Sequence, residues 1–302
     1  FLKNRCEWYI YPKRRAIPDF PLHVDFESSA ACNLECPMCW RVKPGYDETL
    51  YGNMKFDLYK KGLDECAEHG LYSIRLSWRG ECTVNPRIVD MIAYAKERGI
   101  KEVSFISNGY RITGDLASDI VKAGLDYVTI SVDGLYEEYD KIRYPIKFEN
   151  IVEQLKNLRH LRDTIGKGYP RIRINSVWNE EKGEGWFQKF YDFFGPIVDF
   201  ITFSPEYKHD CIVKRLRKDF ICQYLFQRIT IIWDGTIPLC VADKKPGHVI
   251  GNLNTDSIYD AWNSQRMNYA RKRHLAYKAA EIQPCSICDR AVTKQIGNKV
   301  VN

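Results

Sequence analysis

The chain of 302 residues contains no run of about 18 uncharged apolar residues, which excludes a membrane-spanning helix. It has no internal repeat and no low-complexity tract, which speaks against repeat arrays. Neither charge is in strong excess. The formal net charge is +6, a mildly basic surface, whereas a nucleic-acid footprint needs basic residues gathered among stacking aromatics. Only Arg271-Lys272-Arg273-His274 forms a cluster, in a helical pattern where a solvated face accounts for it. No nucleic-acid and no membrane partner is therefore expected. The chain opens on Phe1 and lacks an initiating Met, as a trimmed chain would. Its composition, 45% hydrophobic and 13% aromatic, excludes a disordered or collagen-like polymer.

Cysteine is abundant. The eleven are Cys6, Cys32, Cys36, Cys39, Cys66, Cys82, Cys211, Cys222, Cys240, Cys285 and Cys288. An odd count with two tight groups does not suit a secreted disulfide scaffold. Close-set cysteines without a secretory signal point to metal ligation in a reducing compartment, and the cytoplasm is the expected location.

Periodicity predicts strands at Leu22–Glu27, Ser73–Ser77, Glu102–Ser107, Tyr127–Ser131, Arg171–Val177 and Phe200–Phe203. Helical patterns fall between them at Asp57–Glu68, Pro86–Arg98, Asp115–Ala123, Phe148–Asp163 and Gly185–Phe194. Asp57 is a plausible cap, and Gly99 and Gly124 sit just past helix ends. Such alternation implies an α/β fold with a parallel sheet and right-handed crossovers. Six units are too few for a closed eight-stranded barrel, so a six-stranded partial (β/α)6 TIM-like barrel is expected. Residues 1–20 read as an extension over the core and 21–206 as the barrel. Residues 207–302 read as a small C-terminal domain, with a β-hairpin around Asp234-Gly235 and a helix at about Ser257–Leu275.

The first cysteine group, Cys32-x3-Cys36-x2-Cys39, lies in a loop directly after the first strand. Three soft thiolates on one short loop can hold three irons of a [4Fe–4S] cube. The fourth iron is then open, the mark of a catalytic rather than a structural metal centre. A zinc knuckle with a distant fourth ligand is the alternative. Chemistry in barrel-like folds gathers at the C-terminal strand ends. Here those ends carry Trp78-Arg79-Gly80-Glu81, Ser107-Asn108-Gly109, Ser131-Val132-Asp133-Gly134, Asn175-Ser176 and Ser204-Pro205-Glu206.

The run Cys32-x3-Cys36-Pro-Met-Cys39, with Trp40 after it, resembles the signature of the radical S-adenosylmethionine superfamily. The resemblance implies that the open iron binds S-adenosylmethionine. It also implies that one electron from the reduced cluster splits the cofactor into methionine and a 5′-deoxyadenosyl radical, which takes a hydrogen atom from substrate. Gly80-Glu81 matches the end of the family's Gly-Gly-Glu motif, which holds the cofactor's amino group. Ser107, Asn108, Ser131, Asp133 and Asn175 would lie near the cofactor. Arg79 replaces the first Gly and Cys82 the following Pro, a departure that puts the backbone contact at Arg79 in question. Arg79 is read either as a contact to an anion or as a salt bridge.

By spacing, Cys222, Cys240, Cys285 and Cys288 suit either a zinc ion or a second cluster. The arrangement resembles the Twitch domain, a shortened SPASM domain, which implies one fully ligated auxiliary [4Fe–4S] cluster held by those four. Cys211 is the nearby substitute. A cluster without an open site carries electrons. Cofactor cleavage consumes one electron and oxidation of a substrate radical to a carbonyl returns one, so redox-neutral dehydrogenation is the expected reaction. The substrate expected is a hydroxylated small molecule: a sugar, cyclitol or nucleotide-sugar. Glu206 is the candidate base for the hydroxyl proton. The alternative is an epimerase in which Cys82 or Cys211 returns a hydrogen atom. Further alternatives are a peptide maturase and a non-enzymatic zinc-binding module. About twenty residues precede the barrel, whereas peptide maturases usually carry a leader-binding module of about 80 residues there. The resemblance implies an oxygen-sensitive enzyme served by an electron donor such as flavodoxin or ferredoxin.

Overall fold

The computed structural model describes residues 2–42, 51–179, 182–205, 215–216, 219–243, 247–288, 290, 292–296 and 299–301. Glu206 and Cys211 lie outside the described residues. Helix α1 (Leu2–Arg14) leads into β1 (His23–Phe26), α2 (Phe56–Glu68), β2 (Ser73–Arg75), α3 (Ile88–Glu97) and β3 (Glu102–Ser107). Then come α4 (Gly114–Lys122), β4 (Tyr127–Ser131), α5 (Glu137–Ile142), α6 (Phe148–Thr164), β5 (Arg171–Trp178), α7 (Glu184–Phe194) and β6 (Phe200–Pro205). After the short β7 (Arg215–Leu216) follow β8 (Arg228–Ile231), β9 (Thr236–Pro238) and β10 (Val249–Asn252). Two helices, α8 (Ile258–Trp262) and α9 (Gln265–Leu275), precede β11 (Val292–Ile296) and β12 (Lys299–Val301).

The main sheet runs in the order β6-β5-β4-β3-β2-β1-β8, and its pairs are parallel. Alternation along each strand divides the residues between its two faces. Val24, Phe26, Ile74, Val103, Val128, Ile130, Ile172 and Ile174 are buried and meet the helices. Each contributes about 1.5–3 kcal/mol by leaving water. The concave face carries Asp25, Arg75, Ser104, Thr129 and Arg173. The fold is therefore the expected α/β partial barrel, with the helices outside and a polar lumen inside.

Four elements differ from the sequence expectations. Residues 2–14 form a helix rather than an extension. Its Trp8 ring lies edge-on to His23 at 6.1 Å and its Trp8 carbonyl accepts from Gln227 Nε2 at 2.6 Å, so α1 closes the N-terminal end of the barrel. The strand predicted as half of a hairpin, β8, pairs in parallel with β1 and makes a seventh strand; β9 pairs with β10 instead. The predicted helix over Ser257–Leu275 is two helices, because Ser264 caps a second start by accepting from the Met267 amide at 3.2 Å. Asp57 does not cap α2; it stands inside the first turn, 2.9 Å from Lys60.

The lumen floor is organised by Asp25, which is fully buried. Arg75 Nη2 is 2.9 Å from its Oδ1, Arg228 Nη1 is 3.4 Å from its Oδ2, and His23 Nε2 is 3.1 Å away. Burial alone would raise the Asp25 pKa; the two guanidinium groups outweigh it and hold the carboxyl well below its ordinary range. A depressed folded-state pKa gives stability that is complete above the unfolded value, about 4, and is lost as pH falls below it. Urea unfolding at pH 7 should show Asp25→Asn destabilised by about 3–5 kcal/mol, since two half-buried cations lose their fully buried partner. The variant should also lose less stability than wild type between pH 5 and pH 3. Equal acid sensitivity in both would remove Asp25 from this role.

Candidate active site

The cysteine loop leaves β1 through Glu27, Ser28 and Ser29, all buried. Glu27 accepts from Arg79 Nε at 2.8 Å and Nη2 at 2.7 Å, and from the Trp233 amide at 3.3 Å. Arg79, the residue that departs from the family motif, is thus held in a buried salt bridge. Ser28 Oγ donates to the Leu76 carbonyl at 2.7 Å, and the Met54 amide donates to the Ser28 carbonyl at 2.9 Å. On the other side the Glu81 amide donates to the Ala31 carbonyl at 2.8 Å. Gly80 is packed so closely here that a Cβ would fall 2.4 Å from the Ala31 oxygen and 2.5 Å from the Ser29 oxygen. Only a residue without a side chain lets the end of β2 clamp the loop.

The three thiols share this clamped loop. Cys36 is buried while Cys32 and Cys39 are half-buried. The Cys39 amide donates to the Cys36 carbonyl at 2.9 Å, and Trp40 opens the short 3-10 turn Trp40–Val42. Burial raises the Cys32 and Cys36 thiols, and each is raised further by neighbouring thiolates. Two cations oppose this, Arg41 at Cys32 and Arg143 at Cys36; Arg143 Nη1 lies 4.0 Å from Cys36 Sγ. Arg143 also pairs with Asp133. The Asn108 side chain donates to Asn33 at 2.9 Å and stands 3.8 Å from Cys32 Sγ.

The remaining predicted residues lie around this mouth. The Glu81 carboxylate is occupied within the chain, accepting from Ser107 Oγ and Thr83 Oγ1 at 2.7 Å and from the Asn108 amide at 2.7 Å. Backbone around Gly80 and Glu81, rather than that carboxylate, is what remains for a ligand. Asp133 accepts from the Val177 amide at 2.6 Å, which ties the end of β4 to β5. Asn175 Oδ1 accepts from Thr202 and Ser204 at 3.1 Å, and Ser131 is half-buried beside it in register. Cys82 is 1% exposed, its thiol directed at the Ile106 carbonyl at 3.5 Å; burial pushes its pKa far up. It is a packed thiol within the core.

The second group gathers Cys222, Cys240 and the Cys285-x2-Cys288 pair from three separate segments. Cys240 is pushed up to about 12 by burial, reinforced by Cys222 and Cys288, and Cys285 rises for the same reasons. Three thiols raised by burial and by their sulfur neighbours, Cys222, Cys240 and Cys285, suit a centre whose positive charge offsets their ionisation. Among the described residues, no three His, Cys, Asp or Glu groups are placed to hold a single metal ion. The site is attached to the barrel mouth. Trp78 Nε1, after β2, donates to the Val241 carbonyl at 3.0 Å, next to Cys240. Fully buried His274 lies between two of the cysteines. Its Nδ1 accepts from the Cys222 amide at 3.2 Å, so the proton sits on Nε2 and faces Cys285 Sγ at 3.3 Å. His274 and Arg143 are placed by folding alone; a lone His in a basic helix and an Arg before Tyr-Pro carry no sequence signal.

Arrangement and motif define a class. A family model described as the radical SAM superfamily matches residues 26–166, and one described as SPASM, an iron-sulfur cluster-binding domain, matches residues 222–289. The chain is a radical SAM enzyme with a SPASM/Twitch iron–sulfur domain, and its cofactors are S-adenosylmethionine and two [4Fe–4S] clusters. It is 23% identical to the tungsten-containing aldehyde ferredoxin oxidoreductase cofactor-modifying protein of Pyrococcus furiosus, over 91% of this chain and 90% of that one. In fold it resembles BtrN in complex with AdoMet and 2-DOIA, with a TM-score of 0.59 and 14% identity over 89% of this chain and 93% of that one. It also resembles Streptococcus suis SuiB bound to S-adenosylmethionine, with a TM-score of 0.65 and 14% identity over 89% and 72% of the two chains. No helix among the described residues is long and apolar enough to cross a membrane.

Gly80→Ala should force the cysteine loop off the end of β2. Iron analysis after anaerobic reconstitution should find the N-terminal centre depleted and the C-terminal centre retained. Full iron loading with unchanged melting temperature would show that the close approach does not hold the loop.

Proposed function

We propose that this enzyme dehydrogenates a hydroxylated small molecule, of the sugar, cyclitol or nucleotide-sugar class. The observation that carries the reading is the four-thiol site attached to the barrel mouth through β8 and Trp78. A centre with four protein ligands has no position for substrate and suits one-electron transfer. Cys32, Cys36 and Cys39 would hold the first cluster, and Cys222, Cys240, Cys285 and Cys288 the second. When bound, the first cluster with its S-adenosylmethionine supplies hydrogen-atom abstraction and the second supplies a one-electron acceptor.

The chain's own residues supply the rest. The backbone of Gly80 and Glu81, with Asn108, Ser131 and Asn175, would hold the cofactor. Arg41 and Arg143 offset the negative charge of the thiolates. Trp40, next to Cys39, is assigned to the cofactor's surroundings. Conversion of an alcohol to a carbonyl releases one hydrogen atom, one proton and one electron. Glu206, the residue after β6, is assigned the hydroxyl proton. Support for a small substrate comes from the BtrN complex, matched along nearly all of both chains. A flavodoxin or ferredoxin is proposed as the electron donor and the cytoplasm as the location.

With reductant and candidate sugars, cyclitols and peptides, wild type should form 5′-deoxyadenosine in step with a new carbonyl. Cys36→Ala should abolish formation of the nucleoside, whereas Cys285→Ala should retain uncoupled cleavage and lose the carbonyl product. Turnover on peptides alone would replace this substrate class. His274→Leu should keep about eight irons per chain and lower the potential of the second centre, because an N–H donor to a ligating sulfur favours the reduced form. EPR-monitored redox titration reads that shift, and an unchanged potential would assign His274 to packing alone.

A further inference from the structure

A cavity of about 600 Å³ opens at the end of the barrel opposite the cysteine loop. Its wall is built from the first residues of the parallel strands, among them Ser73, Tyr127, Arg171, Phe200 and Arg228. Arg5 and Trp8 of α1 complete the lining. The volume is that of small-molecule sites, about 300–1,000 Å³. No residue assigned to the cofactor or to either cysteine group borders it.

The charges in this wall do not balance. Arg5 is paired with Glu102, Asp126 with Lys96 at 2.7 Å, and Arg171 with Asp199 at 3.4 Å. Arg75 and Arg228, however, share the single carboxylate of Asp25. Among the described residues, the Nε atoms of both are buried with no acceptor. Arg173 donates its Nε to Thr129 Oγ1 at 3.0 Å and lies 5.2 Å above the Tyr127 ring. Among the described residues no carboxylate pairs with it. Among the described residues two positive charges are thus left over, one beside Asp25 and one at Arg173, in the lining of the same cavity. Retaining half-buried guanidinium groups without counter-charges is unfavourable, and their N–H groups suit an oxyanion. A carboxylate offers two oxygens in one plane, whereas a phosphate offers three in a tetrahedral spread that can serve donors on opposite walls. Beside Arg173, the Tyr127 and Phe200 rings lie nearly parallel with centroids 6.0 Å apart, and Tyr169 adds a third ring to the lining.

We propose that this end of the barrel binds an organic phosphate, with Arg173 as its principal contact, Arg75 and Arg228 supporting, and the Tyr127–Phe200 wall against the organic part. The phosphate belongs either to the far end of a substrate that threads the lumen or to a separate phosphorylated ligand. The inference does not rest on the dehydrogenase reading.

Calorimetry on the holoenzyme with inorganic pyrophosphate and with uridine monophosphate should show saturable binding of one equivalent that weakens with salt. Arg173→Gln should weaken it roughly tenfold or more, the loss expected for one charge-assisted contact, and Arg173→Lys should recover part of it. Arg266→Gln, on the distant C-terminal domain, should change nothing. Saturating S-adenosylmethionine should leave the affinity unchanged, because the cofactor occupies the other end. Competition by a turned-over substrate identifies the phosphate as part of that substrate, and its absence identifies a separate ligand; both retain the site. No saturable binding, equal binding by the Arg173→Gln variant, or displacement by S-adenosylmethionine would overturn the proposal.

Discussion

The buried carboxylate of Glu27 is the constraint on which the rest of the molecule depends. It stands at the exit of β1, accepts two hydrogen bonds from the Arg79 guanidinium after β2, and accepts a third from the Trp233 amide after β8. Three strand ends are thereby set against one another at a single point. The first leads into the cysteine loop, the second into the Gly80 clamp, and the third into the hairpin that carries Cys240. An ion pair so fully removed from water is worth keeping only if its geometry is good and its remaining valences are filled. Here both conditions are met, and the return is positional: two iron–sulfur sites from distant parts of the chain are held at one mouth.

The barrel has two chemically different ends because its strands are polar inside and apolar outside along their whole length. At the C-terminal end, polar groups are satisfied mostly by one another. Glu81 binds Ser107, Asp133 binds Arg143, and Asn108 binds Asn33, which makes a rigid rim with backbone left for a ligand. At the N-terminal end the cations outnumber the carboxylates, and α1 closes over them. A rim that is internally satisfied positions a cofactor, whereas a floor that is not satisfied invites one more anion.

Much of this was legible in the sequence where the information is local. The strand positions follow from runs of four to eight residues, and the C-x3-C-x2-C group shares one loop, so its thiols must lie together whatever the rest of the chain does. Arg79 was open between an anion contact and a salt bridge, and only the partner at Glu27, 52 residues away, decides for the bridge. Cys82 follows the end of β2 as expected, but its burial was not legible, because the 3-10 turn that carries it packs its thiol against the Ile106 carbonyl of the next strand. The seventh strand was misread as half of a hairpin. Its turn is local, but its partner, β1, is about two hundred residues distant.

By itself, then, the amino-acid sequence determined the α/β class and the radical SAM loop, since each is carried by pattern within short segments, and it offered the four candidate cysteines of the second site through their resemblance to a Twitch domain. Tertiary structure alone decided that His274 faces Cys285, that Arg143 stands beside Cys36, that Gly80 clamps the loop, and that Arg173 is left without a carboxylate among the described residues. Those are pairings between distant segments. Periodicity can say which side chains are polar, but only packing says which of them find partners.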